Sequence, residues 1–355
     1  MSFLIFIFIV SILIVVHELG HFIAACKEGV RVEKFAIGFG PVIFRKKGKI
    51  TDFLICLFPF GGYVKLAGDS LSEFKGYEDE FLSKPPAKRI KIVFAGPLFN
   101  YLFAFIIFWV VAMIGFPHIE PVIGGLLDDY PAKTVGLKEN DRILKVNGRK
   151  VESWSSLTNL IYKSKDKVTV EVERDNKILK FEIPLTRKSI NDDLGRKRTV
   201  SMIGVSASPT AFKLKKYNFF IAFFKAGHTV INLTFLLIKG IVFIILGIIP
   251  FKDAMAGPLG IYYITTEAAK LGIVAILYHI ANLSLSLAVI NLFPLPILDG
   301  GHIFIFLLEK IRKKQLSEKV ESIIAKISFA LIAILFVFIF YNDIIKFGYK
   351  IFSKN

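Results

Sequence analysis

Cysteine is nearly absent from this chain: two residues in 355, Cys26 and Cys56, with no C-x-x-C spacing. That count excludes both a disulfide framework and a zinc ribbon. Histidine is almost as scarce, with six residues at 17, 21, 118, 228, 279 and 302. A di-iron membrane hydroxylase needs several histidine clusters, and this chain has material for one. Acidic residues are also few, 29 against 46 basic, so the formal net charge is +17. Such a surplus could indicate nucleic acid, but the Lys and Arg residues lie between hydrophobic stretches, thirteen of the 46 in 27–91 and six in 310–326. Cytoplasmic retention of loops explains that pattern, and no nucleic-acid partner is expected.

What the chain does have is apolar surface. Hydrophobic residues make up 54% of it, 36 of them Phe, and the mean hydropathy is +0.58. This composition points to a polytopic membrane protein. Runs with almost no charge cover 2–26, 92–116, 271–298 and 323–341, each long enough to cross a hydrocarbon core about 30 Å thick. A fifth apolar region, 219–251, is interrupted by Lys225, His228 and Lys239. The run 2–26 ends in Ile23-Ala24-Ala25-Cys26, which resembles a lipoprotein cleavage site. Its start carries no positive charge, however, so an uncleaved helix is expected.

Between the second and third runs lies a polar stretch, 117–206. Residues 168–172 and 178–183 alternate apolar with polar and predict half-buried strands. Val146-Asn147-Gly148-Arg149 is a hairpin turn signal, and Leu157, Leu160 and Ile161 have helical spacing. One small α/β domain outside the bilayer is predicted. The segment 50–66 is of another kind. Residues 53–60 are apolar but too short to span as a helix, Pro59, Gly61 and Gly62 interrupt them, and Tyr63-Val64-Lys65-Leu66 alternates. A β-hairpin dipping into the membrane is one reading, tolerable only if protein buries its backbone; an interfacial loop is the other.

The chemistry is concentrated in His17-Glu18-Leu19-Gly20-His21, inside the first apolar run. Residues four apart share a helix face, so both imidazoles can reach one metal ion with Glu18 beside it. Ionisable groups at membrane depth cost about 2.5–3.5 kcal/mol each by insertion scales, which makes them functional by default. A catalytic zinc normally takes three protein ligands and one open position. The third is sought near the other spans, where Asp299 follows Asn291-Leu292-Phe293-Pro294-Leu295-Pro296-Ile297-Leu298 and precedes Gly300-Gly301-His302. The prolines and glycines break any helix there and let a side chain turn inward. The ligand reading is preferred over the alternative in which Asp299 caps a helix beginning at Gly300, and His302 is the lesser competitor as ligand.

These two motifs together resemble the site-2 protease family of intramembrane metalloproteases. The likeness extends to Phe35-Ala36-Ile37-Gly38-Phe39-Gly40-Pro41, Pro59-Phe60-Gly61-Gly62-Tyr63-Val64-Lys65, Ala95-Gly96-Pro97-Leu98-Phe99-Asn100 and Gly257-Pro258-Leu259-Gly260-Ile261, which is nearly the whole chain. The resemblance implies that His17, His21 and Asp299 bind Zn²⁺ and that Glu18 is the catalytic carboxylate. It implies that Asn291 holds substrate, and an edge of the hairpin at Gly61, Gly62, Tyr63, Val64 and Lys65 could pair with an unwound substrate as an added strand. It also implies that the polar domain is PDZ-like, with Val122, Ile123 and Gly124 near its peptide groove. Proteobacterial relatives carry two PDZ domains in tandem, and here there is room for one. Substrates would be single-pass membrane proteins, such as anti-sigma factors, or signal-peptide remnants, cleaved in the bacterial cytoplasmic membrane. The alternatives are a non-catalytic membrane-anchored PDZ scaffold and, more remotely, a transporter using the intramembrane charges as an ion path.

The expected architecture is therefore a polytopic α-helical membrane protein with four transmembrane helices, a re-entrant hairpin and one extracytoplasmic PDZ-like domain. It divides into a membrane core 1–116, the domain 117–206, an interfacial or re-entrant segment 207–270, and a second core part 271–355. Basic residues from Lys27 onward place that end of the first span in the cytoplasm. Asp299 reaches the same depth only if 219–251 does not fully cross. Residue 260 is expected on the outer side of the membrane; a cysteine-accessibility map that places it on the cytoplasmic face would overturn the four-span arrangement.

Overall fold

The computed structural model describes residues 2–191, 197–208, 211–250, 252, 256–314 and 318–352. Phe251, the last residue of the fifth apolar region, lies outside them, as do 192–196 of the expected polar domain and 353–355 of the second core part. The chain divides into two compact units. One comprises 1–111, 222–242 and 251–355; the other comprises 112–221 and 243–250.

In the first unit, helix α1 (Ser2–Lys27) is apolar almost throughout and is followed by strands β1 (Val32–Lys47) and β2 (Asp52–Leu66). Helix α2 (Pro86–Ile114) begins here and contains Pro97. The small side chains at the α1–α2 crossing are obligatory, because a Cβ on Gly20 would run into the Ala95 carbonyl. Backbones that close give helices in a lipid-like interior their dispersion contacts.

The β1–β2 pair corrects the hairpin expected within 50–66. That segment is one strand, and its partner is the stretch 32–47, whose mixture of Gly, Pro and β-formers gave no alternating pattern. Residues 34–37 pair both with 62–65 and with 52–55, while 42–47 return along 52–56. The ribbon is curled, and the bends fall at its glycines: Gly38, Gly40 and Gly61 all have positive φ, which other residues rarely adopt.

Five helices among the described residues are long and apolar enough to cross a membrane: α1, α2, α5 (Phe219–Ile245), α7 (Ile273–Asn291) and, within α9 (Glu318–Phe352), residues Ser322–Gly348. Helix α5 lays Ala222, Ala226 and Val230, which recur every fourth residue, toward the interior. Phe223 packs on Phe105 and Trp109 of α2, and the Thr234 hydroxyl lies 3.4 Å from that of Tyr101.

Two buried polar ties hold the later helices. Asp343 of α9 is fully buried and accepts from the backbone N–H of Gly257 (3.0 Å) and Gly260 (2.9 Å) at the start of α6 (Pro258–Leu271). A carboxylate at a helix N-terminus meets both orphan donors and the positive end of the dipole. That contact explains Gly257-Pro258-Leu259-Gly260, since a Cβ on either glycine would collide with Asp343. The second tie joins Arg89 of α2 to Glu309 of α8 (Asp299–Arg312) at 2.8 Å, at 2% and 8% exposure, with the guanidinium 4.6 Å from the Phe306 ring centroid.

The second unit holds β3 (Phe116–Ile119), β4 (Ile123–Leu126), α3 (Pro131–Thr134), β5 (Arg142–Val146), β6 (Arg149–Lys150), α4 (Trp154–Tyr162), β7 (Lys167–Arg174), β8 (Lys177–Pro184), β9 (Thr186–Asn191), β10 (Lys197–Met202), β11 (Val205–Ala207) and β12 (Phe212–Lys215). A four-stranded sheet in the order β6-β5-β7-β8 covers a core of Ile143, Val146, Leu157, Val168, Val170, Val172 and Ile183. The alternation read at 168–172 and 178–183 lies on β7 and β8, and the turn signal at 146–149 joins β5 to β6. Ser153 and Ser156 cap α4 reciprocally. Fully buried Asp141 takes both hydrogen bonds of a bidentate contact from Arg174, at 2.7 and 2.6 Å.

Removing one member of a buried ion pair takes a charged, hydrogen-bonded partner from the other. Arg89→Ala is expected to destabilise the helical unit by about 3–5 kcal/mol, read as a lower thermal midpoint in detergent, while Arg45→Ala at the exposed Arg45–Asp52 pair should cost less than about 1 kcal/mol.

Candidate metal centre

Both histidines sit on one face of α1, one turn apart, as helical spacing requires. Their Nε2 atoms approach to 3.1 Å, and the rings meet edge to face. Asp299 arrives from a site 278 residues along the chain from His21, its Oδ2 3.1 Å from His17 Nε2 and its Oδ1 3.6 Å from His21 Nε2. These three donor atoms form the one cluster of metal-ligating type among the described residues. All three side chains are largely enclosed, at 13, 14 and 17% exposure.

Local chain geometry explains the arrival of Asp299. Helix α7 ends at Asn291, and 292–298 turn back with bonds from Leu295 N to Phe293 O (2.7 Å) and Leu298 N to Leu295 O (2.8 Å). A Cβ on Gly300 would strike the Leu292 and Phe293 carbonyls, and one on Gly301 the Leu295 carbonyl. The two glycines therefore let α8 start hard against the turn, with Asp299 as its first residue. The capping alternative is not what is seen: the N-cap is Leu298, with no side-chain cap hydrogen bond. His302 stands outside the cluster and lies against Phe306.

The hydrogen bonds around the imidazoles decide where their lone pairs point. His21 Nδ1 lies 3.0 Å from the Ile92 carbonyl, which can only accept, so Nδ1 carries the proton and Nε2 presents a lone pair. His17 Nδ1 faces the side-chain amide of Asn100 at 3.4 Å. Asn100 is wholly buried, with its Oδ1 otherwise unpartnered and its backbone carbonyl accepting from Ser284 Oγ at 2.8 Å. The orientation that turns Oδ1 to His17 Nδ1–H satisfies that oxygen and frees His17 Nε2 as well. Asn100 ends the Ala95–Asn100 motif, but nothing in the sequence singles it out as a site residue, because its burial beside an imidazole exists only in three dimensions.

One further orphan supports a cation. Asp299 Oδ2 is buried with no hydrogen-bond partner beside His17 Nε2, while Oδ1 of the same carboxylate faces His21 Nε2. Three such acceptors at this spacing repel unless something positive lies between them. Two imidazoles and a carboxylate are a donor set suited to zinc. Gly96 of α2 completes the cradle, because a Cβ there would occupy space against His21 Nε2 and His17 Cε1.

Glu18 points beside this cluster, toward β2. Its carboxylate bonds the backbone of Val64, and a Cβ on Gly62 would stand 3.4 Å from Glu18 Cγ and 3.2 Å from Ile14 Cγ2. Ser11 Oγ donates to the Pro59 carbonyl at 2.8 Å and fixes the same strand to α1. Gly61 has a φ of +130°, and Tyr63 stacks on Phe39. Lys65 is engaged by Asp69 and Glu73, away from Glu18. Asn291 closes α7 and is half-buried. In the other unit, Ile123 is fully buried in the core, Val122 bridges to Arg142, and Gly124 abuts Ser208. Any peptide groove there would be lined by their backbone and not by the Ile123 side chain.

Comparison with known proteins bears on the whole chain. The profile of peptidase family M50 matches residues 5–335. The chain is 33% identical over 346 residues to Cj1068 of Campylobacter jejuni, named as a zinc metalloprotease, covering 97% of this chain and 93% of that one. It is 30% identical over 421 aligned positions to the regulator of sigma-W protease RasP of Bacillus subtilis, covering 96% and 97%. It is also similar to the PDZ domain of the SdrC-like protein Lmo2051 of Listeria monocytogenes, at 25% identity and a TM-score of 0.20, over 24% of this chain and 84% of that one.

Asp299→Ala is expected to abolish stoichiometric zinc retention in the purified chain, measured by elemental analysis, because two ligands cannot hold what three hold. Gly96→Ala should lower it through steric intrusion alone.

Proposed function

We propose, from the premise that this chain belongs to peptidase family M50, the site-2 proteases, that His17, His21 and Asp299 hold its zinc ion and that Glu18 is its catalytic carboxylate. The enzyme is an intramembrane zinc metalloprotease, related over nearly its full length to proteins of that name. The observation that carries the residue assignment is the Asp299 carboxylate, whose buried, unpartnered Oδ2 lies against His17 Nε2 and whose Oδ1 faces His21 Nε2. Zinc held there would lower the pKa of water to about 7 and polarise a scissile carbonyl.

The remaining steps belong to the chain. Glu18 accepts the proton of the attacking water and returns it to the departing amine nitrogen. His21 and His17 are kept in the required tautomer by the Ile92 carbonyl and the Asn100 amide. A substrate helix hides its carbonyls in its own hydrogen bonds, so it must open before it can react. Residues 62–65 pair on one side only, with 34–37, and that free edge runs beside Glu18. An opened substrate adds there as a further strand, with Gly61, Gly62, Tyr63, Val64 and Lys65 supplying backbone and Asn291 holding the other side. The unsatisfied backbone groups of both partners are thereby paired within the membrane.

Four helices cross, α1, α2, α7 and α9, with the hairpin re-entering from the cytoplasmic side. Helix α5 is re-entrant. Its contacts with α2 run from Phe223, at Phe105 and Trp109, to Thr234, at Tyr101; a helix lying flat in the interface would cross α2 at a single point. Exposed Phe39, Ile43, Phe44, Phe53 and Phe58 suit a hairpin in contact with lipid. The domain within 117–206 is PDZ-like and faces outward from a bacterial cytoplasmic membrane. It serves as a filter that admits substrates already trimmed outside. Those substrates are single-pass proteins, among them anti-sigma factors in view of the RasP relative, or signal-peptide remnants.

Glu18→Gln should retain zinc and slow cleavage of a model transmembrane peptide by at least about 10²-fold, since the ligands remain and the proton acceptor is lost. Undiminished cleavage would remove Glu18 from the reaction. A zinc-loaded wild-type chain that cleaves nothing would favour a scaffold.

A further inference from the structure

We propose that the cavity between the β3–β12 ribbon and strands β5 and β6 is a binding site for the phosphate of an anionic phospholipid. It measures ≈ 700 Å³ and is lined on opposite sides by Lys213 and Lys215 of β12 and by Arg142 and Lys150 of β5 and β6. Two carboxylates stand between these four cations. Glu120 is shared by Arg142 at 2.8 Å and Lys213 at 2.7 Å, and Glu152 by Lys150 at 3.3 Å and Lys215 at 3.9 Å. Four positive charges facing two negative ones leave a surplus of two. Hydrogen bonding from Lys213 and Arg142 holds the Glu120 carboxyl below its ordinary range, and a hydrogen bond from Lys150 with the charge of Lys215 does so for Glu152. Both are therefore ionised, and the surplus is real at neutral pH.

The position of the cavity selects lipid over other anions. Strand β3 starts at Phe116, two residues after α2 ends at Ile114, and β12 stops at Lys215, four residues before α5 starts at Phe219. Four residues reach at most about 14 Å even when extended. The ribbon is closed at its foot, because Tyr217 N donates to the Ala112 carbonyl of the last α2 turn at 3.0 Å. With α2 read as crossing the membrane, chain connectivity alone keeps Lys213 and Lys215 within six residues of an apolar helix end. Phe212 on the ribbon and Phe219 and Phe220 at the start of α5 are 57, 54 and 73% exposed, an apolar surface for the acyl chains next to the charged recess. Each Lys or Arg near an anionic surface strengthens binding about fivefold, and such a site also accounts for two lysines kept at a membrane edge outside the cytoplasmic loops.

The test uses the full-length chain in phosphatidylcholine nanodiscs doped with phosphatidylglycerol, counting co-purified lipid by native mass spectrometry. Wild type should retain phosphatidylglycerol in preference to phosphatidylcholine. Lys213→Gln with Lys215→Gln should reduce that retention about tenfold or more, and the double Glu variant further, while Lys177→Gln with Lys180→Gln on β8 should leave it unchanged. Unchanged thermal unfolding of the Gln variant shows that lost retention is not lost folding. Equal retention of the two lipids by wild type, equal retention by wild type and the ribbon variant, or displacement of the lipid by an acidic peptide bound at the same lysines would each overturn the proposal.

Discussion

Three acceptor atoms from two distant parts of the chain are held within a few ångströms of one another in surroundings poor in water. Nothing about that arrangement is self-stabilising, since lone pairs and a carboxylate repel at such range. The fold must supply the restraint, and much of the helical unit is organised to do so. Gly20 and Gly96 let α1 and α2 touch at the backbone, so that the Ile92 carbonyl and the Asn100 amide reach the imidazoles from behind. The broken connection at 292–298, with Gly300 and Gly301, brings Asp299 in from the other side. The Arg89–Glu309 pair then ties the far end of α8 to the helix that carries Asn100.

The curled ribbon is placed by the same constraint. Gly62 lets strand β2 lie close to α1, since a Cβ there would touch Ile14 and Glu18, and Ser11 ties the strand to the same helix at Pro59. A substrate strand added to the free edge at 62–65 would be delivered to the carboxylate that needs it. The geometry links two demands that are separable in a soluble enzyme. In a membrane the backbone of an opened substrate must be hydrogen-bonded as well as positioned.

The polar unit is bound by different rules. Its core is aliphatic and conventional, with Asp141 and Arg174 buried together as a bidentate pair. Its distinctive feature is the two-stranded β3–β12 ribbon, which carries basic side chains at the foot of the domain and gives way to apolar helices within a few residues at each end. The charges there are shared in threes, two cations to each glutamate, and so are left partly unneutralised.

Local chemistry was legible in the sequence. Helical periodicity places His17 and His21 on one face, and intramembrane ionisable groups mark them as candidates, because such residues are costly at membrane depth unless their surroundings compensate them. Alternation at 168–172 and 178–183 marks strands, and Asn147-Gly148 marks a turn, since these patterns arise from each residue's own backbone and burial preferences. Partnership was not legible. The mate of segment 50–66 is 32–47, whose irregular register is set by bulges at glycines. Likewise Asn100, Asp343 and Arg89 each depend on a group tens or hundreds of residues away in the chain. Whether Asp299 capped a helix or turned toward the imidazoles stayed open for the same reason: both use one carboxylate at one helix start, and only the packing of Gly300 and Gly301 against the preceding turn decides between them.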